Sequence, residues 1–276
     1  MNAILVHKKI TDINPDEYQH ISVFDLSFNL ISDTSNILKL KNLTILNLTG
    51  NQIKLINTID LPNLEILILK RNILTTIPKF RTNKLRILDL SFNRISTVEN
   101  LDPLNNLIKI DLTANKIKYM FGFENLKNLK ELILESNNIS QIRNIDNLIN
   151  LQILNLSNNQ ISNITNLANN NQILKLLLNN NSIDKLPNIY FLPNLKTLNV
   201  CSNNICYTEI SLFVKNNQVP IEKFYCCHNF TTPGEPLHKL LSSGCYLSIK
   251  QYFINQFPNN FYSYIQEPNL VTNLSI

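Results

Sequence analysis

Glycine and tryptophan are nearly absent from this sequence, which has 4 Gly and no Trp among its 276 residues. The glycine-rich loops that cradle phosphate, G-x-x-x-x-G-K-[ST] and G-x-G-x-x-G, do not occur. The G-x-S-x-G turn of many hydrolases is missing as well. These absences exclude the common nucleotide-binding classes and that hydrolase class, and they predict a chain without catalytic residues or a cofactor.

Long apolar runs and concentrated charge are also missing. No stretch approaches the ~18 consecutive apolar residues of a membrane-spanning helix, and the first residues lack the apolar core of a cleavable leader. The 25 Lys and Arg and the 20 Asp and Glu are interspersed, so the net charge of +5 is spread along the chain. The sequence therefore predicts no membrane insertion, and the missing basic stripe argues against nucleic acid as a partner.

Cysteine does not occur before residue 200, and the five cysteines that follow are an odd number. This favours reduced thiols and a cytoplasmic location, with the nucleus as the alternative. These cysteines and a nearby histidine show no C-x-x-C or H-x-x-x-H spacing, so no metal site is expected, and Cys226 is interpreted as a small buried hydrophobe. The group is Cys201, Cys206, Cys226, Cys227, His228 and Cys245.

Asparagine is in large excess, with 47 residues that alternate with Leu and Ile. A search for a fixed period finds the pattern L-x-x-L-x-L-x-x-N-x-I nine times, at intervals of 21 or 22 residues. The nine copies begin at Ile21, Leu43, Leu64, Leu85, Leu107, Leu129, Leu151, Ile173 and Leu195. Offset nine of every copy is an asparagine: Asn29, Asn51, Asn72, Asn93, Asn115, Asn137, Asn159, Asn181 and Asn203.

The offsets within one copy predict a short strand over offsets three to seven. Offsets four and six face one side of that strand, and offsets three, five and seven face the other. One leucine-lined face cannot be buried alone, so the copies are expected to stack into a parallel sheet. The Asn at offset nine can pair turn backbone groups that would otherwise be buried without partners, and stacked copies would then form an Asn ladder.

This pattern resembles the leucine-rich repeat family, specifically its 22-residue, Sds22-like class, which includes a regulatory subunit of protein phosphatase 1 and bacterial internalins. The resemblance extends from about Ile21 to Ile205. It implies an α/β fold, a curved solenoid with parallel strands on the concave face. Proteins of this family mostly bind other proteins on that face, so the resemblance implies a protein partner whose identity does not follow from the sequence.

Three segments are predicted. An N-terminal cap at 1–20 precedes a solenoid at 21–232, in which a degenerate tenth copy begins at Ile221 and ends on Asn229. A helical C-terminal cap at 233–276 weakly resembles a single ankyrin repeat. Its matching positions are Pro236, Leu237, His238, Gly244 and Ile249. The apolar residues expected in the N-terminal cap are Ile4, Val6, Ile10 and Ile13.

The strand residues that face away from the core are the predicted partner-binding residues, because their side chains are not needed to pack the core. Offset three provides an apolar stripe on four consecutive copies, with two phenylalanines at its edge and Lys70, Arg71 and Arg86 between those rings. Exposed apolar groups rimmed by charge are typical of contact surfaces. The predicted residues are Val23, Asp25, Phe28, Ile45, Ile66, Ile68, Ile87, Asp89, Phe92 and Asp111.

The function predicted from these features is a non-catalytic protein–protein interaction module that is a monomer on its own. Asp89 and Asp111 lie in adjacent copies at a spacing that suits an acid–base pair, but no nucleophile or histidine accompanies them. Two alternatives remain open. The chain could be a regulatory subunit of a protein phosphatase 1-type enzyme, or a scaffold with an unrecognised catalytic C-terminal segment.

Overall fold

The computed structural model describes residues 1–187, 189–216, 219, 221–226 and 229. The predicted helical cap at 233–276 and its ankyrin-like positions lie outside the described residues, as do Cys227, His228 and Cys245.

Within the described residues, eleven short parallel strands form one sheet, with one strand from each turn of the chain. Its strands, in spatial order, are β1 (Asn2–Ile4), β2 (Val23–Asp25), β3 (Ile45–Asn47), β5 (Ile66–Ile68), β7 (Ile87–Asp89), β8 (Lys109–Asp111), β9 (Glu131–Ile133), β10 (Ile153–Asn155), β11 (Lys175–Leu177), β12 (Thr197–Asn199) and β13 (Lys223–Tyr225). The predicted parallel solenoid is therefore confirmed. Each strand has three residues, at offsets three to five, and is shorter than predicted.

A second, two-stranded parallel sheet lies on the opposite side of the solenoid. It is formed by β4 (Thr58–Ile59) and β6 (Lys79–Phe80). These two strands belong to the copies that begin at Leu43 and Leu64, which are the two copies of 21 residues. The return segments of the shorter copies therefore pair with each other as strands.

Helices are few among the described residues. They are α1 (Pro15–Tyr18), a 3-10 helix at Ile37–Lys39, and α2 (Tyr207–Asn216). The Asn14 side chain accepts a hydrogen bond from the Asp16 N–H and caps α1, whose first residue is proline. Helix α2 buries Ile210 and Phe213, and the Phe213 ring lies 5.3 Å from the Phe224 ring of β13.

The core consists of columns of equivalent side chains. In the copy that begins at Leu64, offsets one, four, six and eleven are Leu64, Leu67, Leu69 and Leu74, and all four are fully buried. The return segments add further buried columns, such as Ile53, Ile56 and Ile59. Because each copy covers the core face of the next, stability is distributed along the stack.

The asparagines at offset nine bond each copy to the preceding one. The Asn115 Nδ2 donates to the Leu112 carbonyl of its own copy and to the Leu90 carbonyl of the preceding copy, both at 3.0 Å. Its Oδ1 accepts the Ile95 N–H at 2.9 Å. The same bonds recur from Asn29 to Asn203, and Asn229 makes them at the degenerate copy.

A second column of asparagines, absent from the sequence-based predictions, lies where each copy ends. The last residue of six copies is an Asn whose Nδ2 donates to a backbone carbonyl of the preceding turn, at 2.8 to 3.2 Å. These edge asparagines are Asn42, Asn63, Asn106, Asn128, Asn150 and Asn194. They recur with the same period as offset nine, so the repeat itself contained the signal. Without Asn229, the two columns together contain 15 of the 47 asparagines.

The N-terminal segment contributes a strand, and this corrects one prediction. Strand β1 pairs with β2 so that Ala3 lies beside the buried Phe24 and Ile4 lies beside Asp25. Ile4 is consequently 69% exposed and does not cover the core. Ala3 and Leu5 pack against the core in its place, together with Ile10, while Ile13 is buried as expected.

Candidate partner-binding face

The solvent-facing side of the eleven-stranded sheet, here called the strand face, carries the residues at offsets three and five. Strand register aligns Val23 with Ile45, Ile45 with Ile66, and Ile66 with Ile87. These four side chains, here called the apolar stripe, are half-buried. Their outer sides are exposed to solvent on four adjacent strands. Ile68 lies beside the stripe at offset five and is also half-buried.

The apolar stripe ends at an ion pair. Lys109 follows Ile87 in the same row of the sheet, and Glu131 follows Lys109. The Lys109 Nζ lies 2.8 Å from a Glu131 carboxylate oxygen, and both side chains are partly exposed. An exposed pair of this kind contributes ~0–1 kcal/mol to stability. Its main consequence is a polar boundary on the strand face.

The acids at offset five support the turn that follows each strand. The Asp25 Oδ1 accepts the Ser27 N–H at 2.9 Å, and Asp111 accepts the Thr113 N–H in the same way. The Asp89 Oδ1 accepts both the N–H and the hydroxyl of Ser91. One oxygen of each carboxylate is therefore committed to the fold. This corrects the expectation that the side chains at offset five have no structural role.

Offset seven faces solvent in only some of the copies, which corrects the expectation that it does so throughout: Lys70 and Thr113, for example, are half-buried. Ser27, Ser91 and Ser157 are buried there, because the chain has already left the strand and turned toward the next segment. The Ser157 hydroxyl donates to the Asn179 Oδ1 of the next copy at 2.7 Å. The buried offset-seven side chains therefore contribute little to the strand face, and Ser157 links two neighbouring turns.

Offset eight adopts a left-handed backbone in all nine copies, with φ between +53° and +66°. This conformation reverses the chain so that the next residue, the ladder Asn, points inward. It is uncommon for bulky residues, yet Phe28 and Phe92 occupy it. Their rings are 41% and 43% exposed and lie along one edge of the strand face.

The two phenylalanine rings have different neighbours. The Phe28 ring stacks on the His7 imidazole, with centroids 4.7 Å apart. The Phe92 ring has the Lys70 ammonium 5.3 Å and the Arg71 guanidinium 5.5 Å from its centroid, which is cation–π geometry. Lys70 and Arg71 thus lie beside Phe92 as predicted. Arg86 precedes β7 and lies at the opposite edge of the sheet, so the prediction that it lies between the rings is wrong.

The strand face carries a second apolar group, which the prediction from the sequence did not include. Ile153 at offset three lies between Glu131 and Lys175, and Ile133 and Leu177 flank Asn155 at offset five. All three apolar side chains are half-buried. The same offset rule would have found them. The face over β9–β11 is therefore less polar than Lys175 and Asn179 alone indicate. Tyr225 at offset five of β13 adds an aromatic side chain to this half of the face.

The sheet register places two carboxylates side by side on the strand face. Asp89 and Asp111 are register partners on adjacent strands. Within the described part of the chain, no group of three His, Cys, Asp or Glu side chains could hold a metal ion. Of the cysteines discussed above, Cys201 is buried, and Cys206 and Cys226 are half-buried thiols. Cys226 packs against the core at its leucine-equivalent offset.

Comparison with known proteins adds independent information on the fold. The family model for Leucine Rich repeats (2 copies) matches residues 127–169. A leucine-rich repeat protein of Leptospira interrogans superposes with a TM-score of 0.63 at 25% identity, covering 80% of this chain and 64% of that chain. The solenoid therefore has the leucine-rich repeat fold, and residues 127–169 match the family model itself.

Other leucine-rich repeat structures superpose over a similar length. The functional domain of InlJ from Listeria monocytogenes has a TM-score of 0.66 at 22% identity, covering 80% of this chain and 47% of that chain. The octameric complex of latrophilin 3, Unc5D and FLRT2 (LRR) contains a match with a TM-score of 0.68 at 22% identity, covering 80% and 72%. The chain thus spans about half the length of the InlJ domain. No curated protein matches the chain significantly in sequence.

Among the described residues, no helix is both long enough and apolar enough to cross a bilayer.

Proposed function

We propose that this leucine-rich repeat protein is a non-catalytic interaction module that binds a partner protein on its strand face, with the apolar stripe at the centre of the contact. The observation that carries the proposal is the alignment of Val23, Ile45, Ile66 and Ile87 on four adjacent strands. Aliphatic side chains that are half exposed and contiguous form a patch, and such patches on a soluble protein are typical of interaction sites.

The surroundings of the apolar stripe support this proposal. The stripe extends over three strand spacings, ~14 Å, which is long enough to accommodate a helix or an extended segment. Asp25 and Asp89 lie beside it, and Lys70 and Arg71 lie at the edge where the strands end. An apolar centre with a charged rim is the usual composition of a protein–protein contact.

Structures with this fold occur in complexes with other molecules. One neighbour is the FLRT2-containing octamer described above, and another is the PEPR1–AtPEP1 structure, with a TM-score of 0.61 at 23% identity. At these identities the likeness shows the fold alone. The proposal that this chain also binds a protein therefore depends on its own strand face.

The proposal also includes a location, an oligomeric state and a repeat class for this chain. We take the chain to be a cytoplasmic monomer, with the nucleus as the alternative location, and we take its repeats to be of the Sds22-like class because of their 21- or 22-residue period. The same period is what supports the alternative of a phosphatase regulatory subunit. Capture of a phosphatase catalytic subunit by the strand face would decide in favour of that alternative.

Affinity capture followed by mass spectrometry identifies the partner, and binding measurements with purified variants then test the site. Ile45→Asp and Ile66→Asp each place a charge at the centre of the contact, so we expect affinity to fall about 30-fold or more. Thr197→Asp makes the same charge change at the same offset on β12 and is the control. Circular dichroism checks that each variant is folded. Equal affinity of the parent and both stripe variants contradicts the proposal.

A further inference from the structure

A groove of about 620 Å³ lies along the edge of the sheet where β5, β7, β8 and β9 begin. Its floor is formed by the residues that precede these strands, including Arg86, Ile108 and Lys130, and its wall by residues that end the copies. The groove is open to solvent and lies on the edge opposite the Phe28 and Phe92 rings.

Two cations in this groove are available to a ligand. Within the described residues, neither the Arg86 guanidinium nor the Lys130 ammonium takes part in an ion pair or a side-chain hydrogen bond. Lys84 is also in the groove, but its Nζ donates to the Asn63 Oδ1 at 2.8 Å. Glu65 is the acid that lines one end. With Lys84, Arg86 and Lys130 against Glu65, the groove carries a net positive charge.

Three edge asparagines line the same groove with their carbonyl oxygens available. Asn106, Asn128 and Asn150 each use Nδ2 to bond a backbone carbonyl of the preceding turn. That bond fixes the amide plane and leaves Oδ1 as an acceptor. A bound polypeptide has backbone N–H groups that can donate to such oxygens.

The spacing of the two cations constrains the shape of the ligand. Arg86 and Lys130 directly precede β7 and β9, and Ile108, which precedes β8, lies between them. Backbone hydrogen bonds hold the three residues in register. Two strand spacings are ~9.6 Å. In a polyproline II segment, side chains three residues apart lie on the same side and ~9.3 Å apart. The two distances agree.

We propose that this groove binds an acidic, extended segment of the partner protein, in which two carboxylates three residues apart pair with Arg86 and Lys130. The inference rests on the proposed function, because it assigns the segment to the same partner. Arg86 directly precedes Ile87 of the apolar stripe, so one partner can contact both surfaces without a break. Glu65 neighbours Arg86 on the side away from Lys130, so its repulsion disfavours an acidic segment that extends past Arg86 in that direction.

Three synthetic peptides test the spacing directly by fluorescence anisotropy with the full chain. The first is fluorescein-labelled (Glu-Pro-Ser)4, which places a glutamate at every third position. The second, (Glu-Glu-Pro-Ser-Pro-Ser)2, has the same composition with the spacing changed, and the third is (Lys-Pro-Ser)4. We expect the first peptide to bind at least threefold more tightly than the second, and the lysine peptide not to bind.

Matched variants locate the binding to the groove. Arg86→Glu with Lys130→Glu should weaken binding of (Glu-Pro-Ser)4 at least tenfold, because attraction becomes repulsion. Lys79→Glu with Lys175→Glu lowers the net charge by the same amount at exposed positions elsewhere, and it should change the affinity less than twofold. Binding of the parent should weaken as salt is raised from 50 to 300 mM.

Several outcomes would overturn the inference: no binding of (Glu-Pro-Ser)4, equal binding of both glutamate peptides, or equal losses in the two double variants. Tighter binding of a single-stranded oligonucleotide than of the glutamate peptide would assign the groove to nucleic acid. One structure of this fold, from a TLR13–ssRNA13 complex, makes that comparison relevant.

The inference and the proposed function can fail separately. If (Glu-Pro-Ser)4 does not bind, while the Ile45→Asp variant no longer binds the captured partner, the groove inference is wrong and the proposed function stands. If the peptide binds as expected but the stripe variants retain the captured partner, the proposed function is wrong at the stripe.

Discussion

The ring of Phe28 lies directly against the backbone of Gly50 in the next copy. A Cβ placed on Gly50 would be 2.7 Å from Cδ1 of Phe28, closer than such atoms approach in proteins. Gly50 also has a φ of +66°, which L-residues with a Cβ rarely adopt. Phe28 is thus held between the His7 imidazole on one side and this glycine on the other.

Gly50→Ala is therefore expected to destabilise the protein by ~1–2 kcal/mol from the left-handed backbone, plus the steric contact with Phe28. Chemical denaturation followed by circular dichroism measures the loss. The double variant with Phe28→Ala removes the contact and should recover part of the difference, as a coupling energy in a double-mutant cycle. If the losses of stability in the two single variants simply add in the double variant, the Phe28 ring moves away from the new methyl group without cost.

Asn137→Ala should lower the free energy of unfolding by ~1–3 kcal/mol, because it leaves buried backbone groups without partners. The amide bonds the Leu112 and Leu134 carbonyls and the Ile117 N–H, all at 3.0 Å. Asn138→Ala is the matched control, since the neighbouring side chain is exposed. Equal unfolding midpoints for the two variants would contradict a stabilising role for the Asn ladder.

Asn170→Leu is expected to stabilise the protein. Asn170 is fully buried, its Oδ1 has no hydrogen-bond partner, and it occupies the offset at which the adjacent copies place the buried Leu148 and Leu192. Replacing it removes an unsatisfied polar atom and adds apolar contact, a gain of ~1–2 kcal/mol.

The reverse substitution, at the same offset of the preceding copy, tests the same explanation. Leu148→Asn should cost ~2–5 kcal/mol, because it buries a second amide and opens a gap. Thermal unfolding of both variants measures the effects, which must have opposite signs. A lower midpoint for Asn170→Leu would mean that the Nδ2 bonds to the Ile145 and Leu148 carbonyls outweigh the unsatisfied oxygen.

Ile153→Asp tests the limits of the contact surface. Ile153 is half-buried at offset three, as Ile45 is, but the Lys109–Glu131 ion pair separates it from the apolar stripe. If the partner contacts the stripe alone, Ile153→Asp should change its affinity less than threefold, while Ile45→Asp lowers it about 30-fold or more. A loss as large as that of Ile45→Asp would extend the contact to Ile133 and Leu177. The measurement is isothermal titration calorimetry with the captured partner.

The repeat period was sufficient to predict the solenoid. Hydrophobic residues at offsets one, four, six and eleven recur in every copy, and a residue that follows this rule, such as Leu67, has the same neighbours one copy away. Local sequence therefore determines which residues are buried, because the contacts that bury them repeat with the period. The ladder Asn was predicted on the same basis.

Other features depend on which atoms meet across the turns. The sequence alone did not show that Asp89 is committed to Ser91, that β4 pairs with β6, or that β1 extends the sheet. Nor did it show that Arg86 lies on the edge opposite Phe92. The offsets give the order of residues along one copy. These contacts depend instead on the direction of the chain after each strand and on the stacking of neighbouring copies.

The sequence by itself determined the period, the core columns and the parallel stack. The tertiary structure decided which exposed side chains are already bonded and which remain available to a partner, because hydrogen bonds between copies depend on three-dimensional geometry.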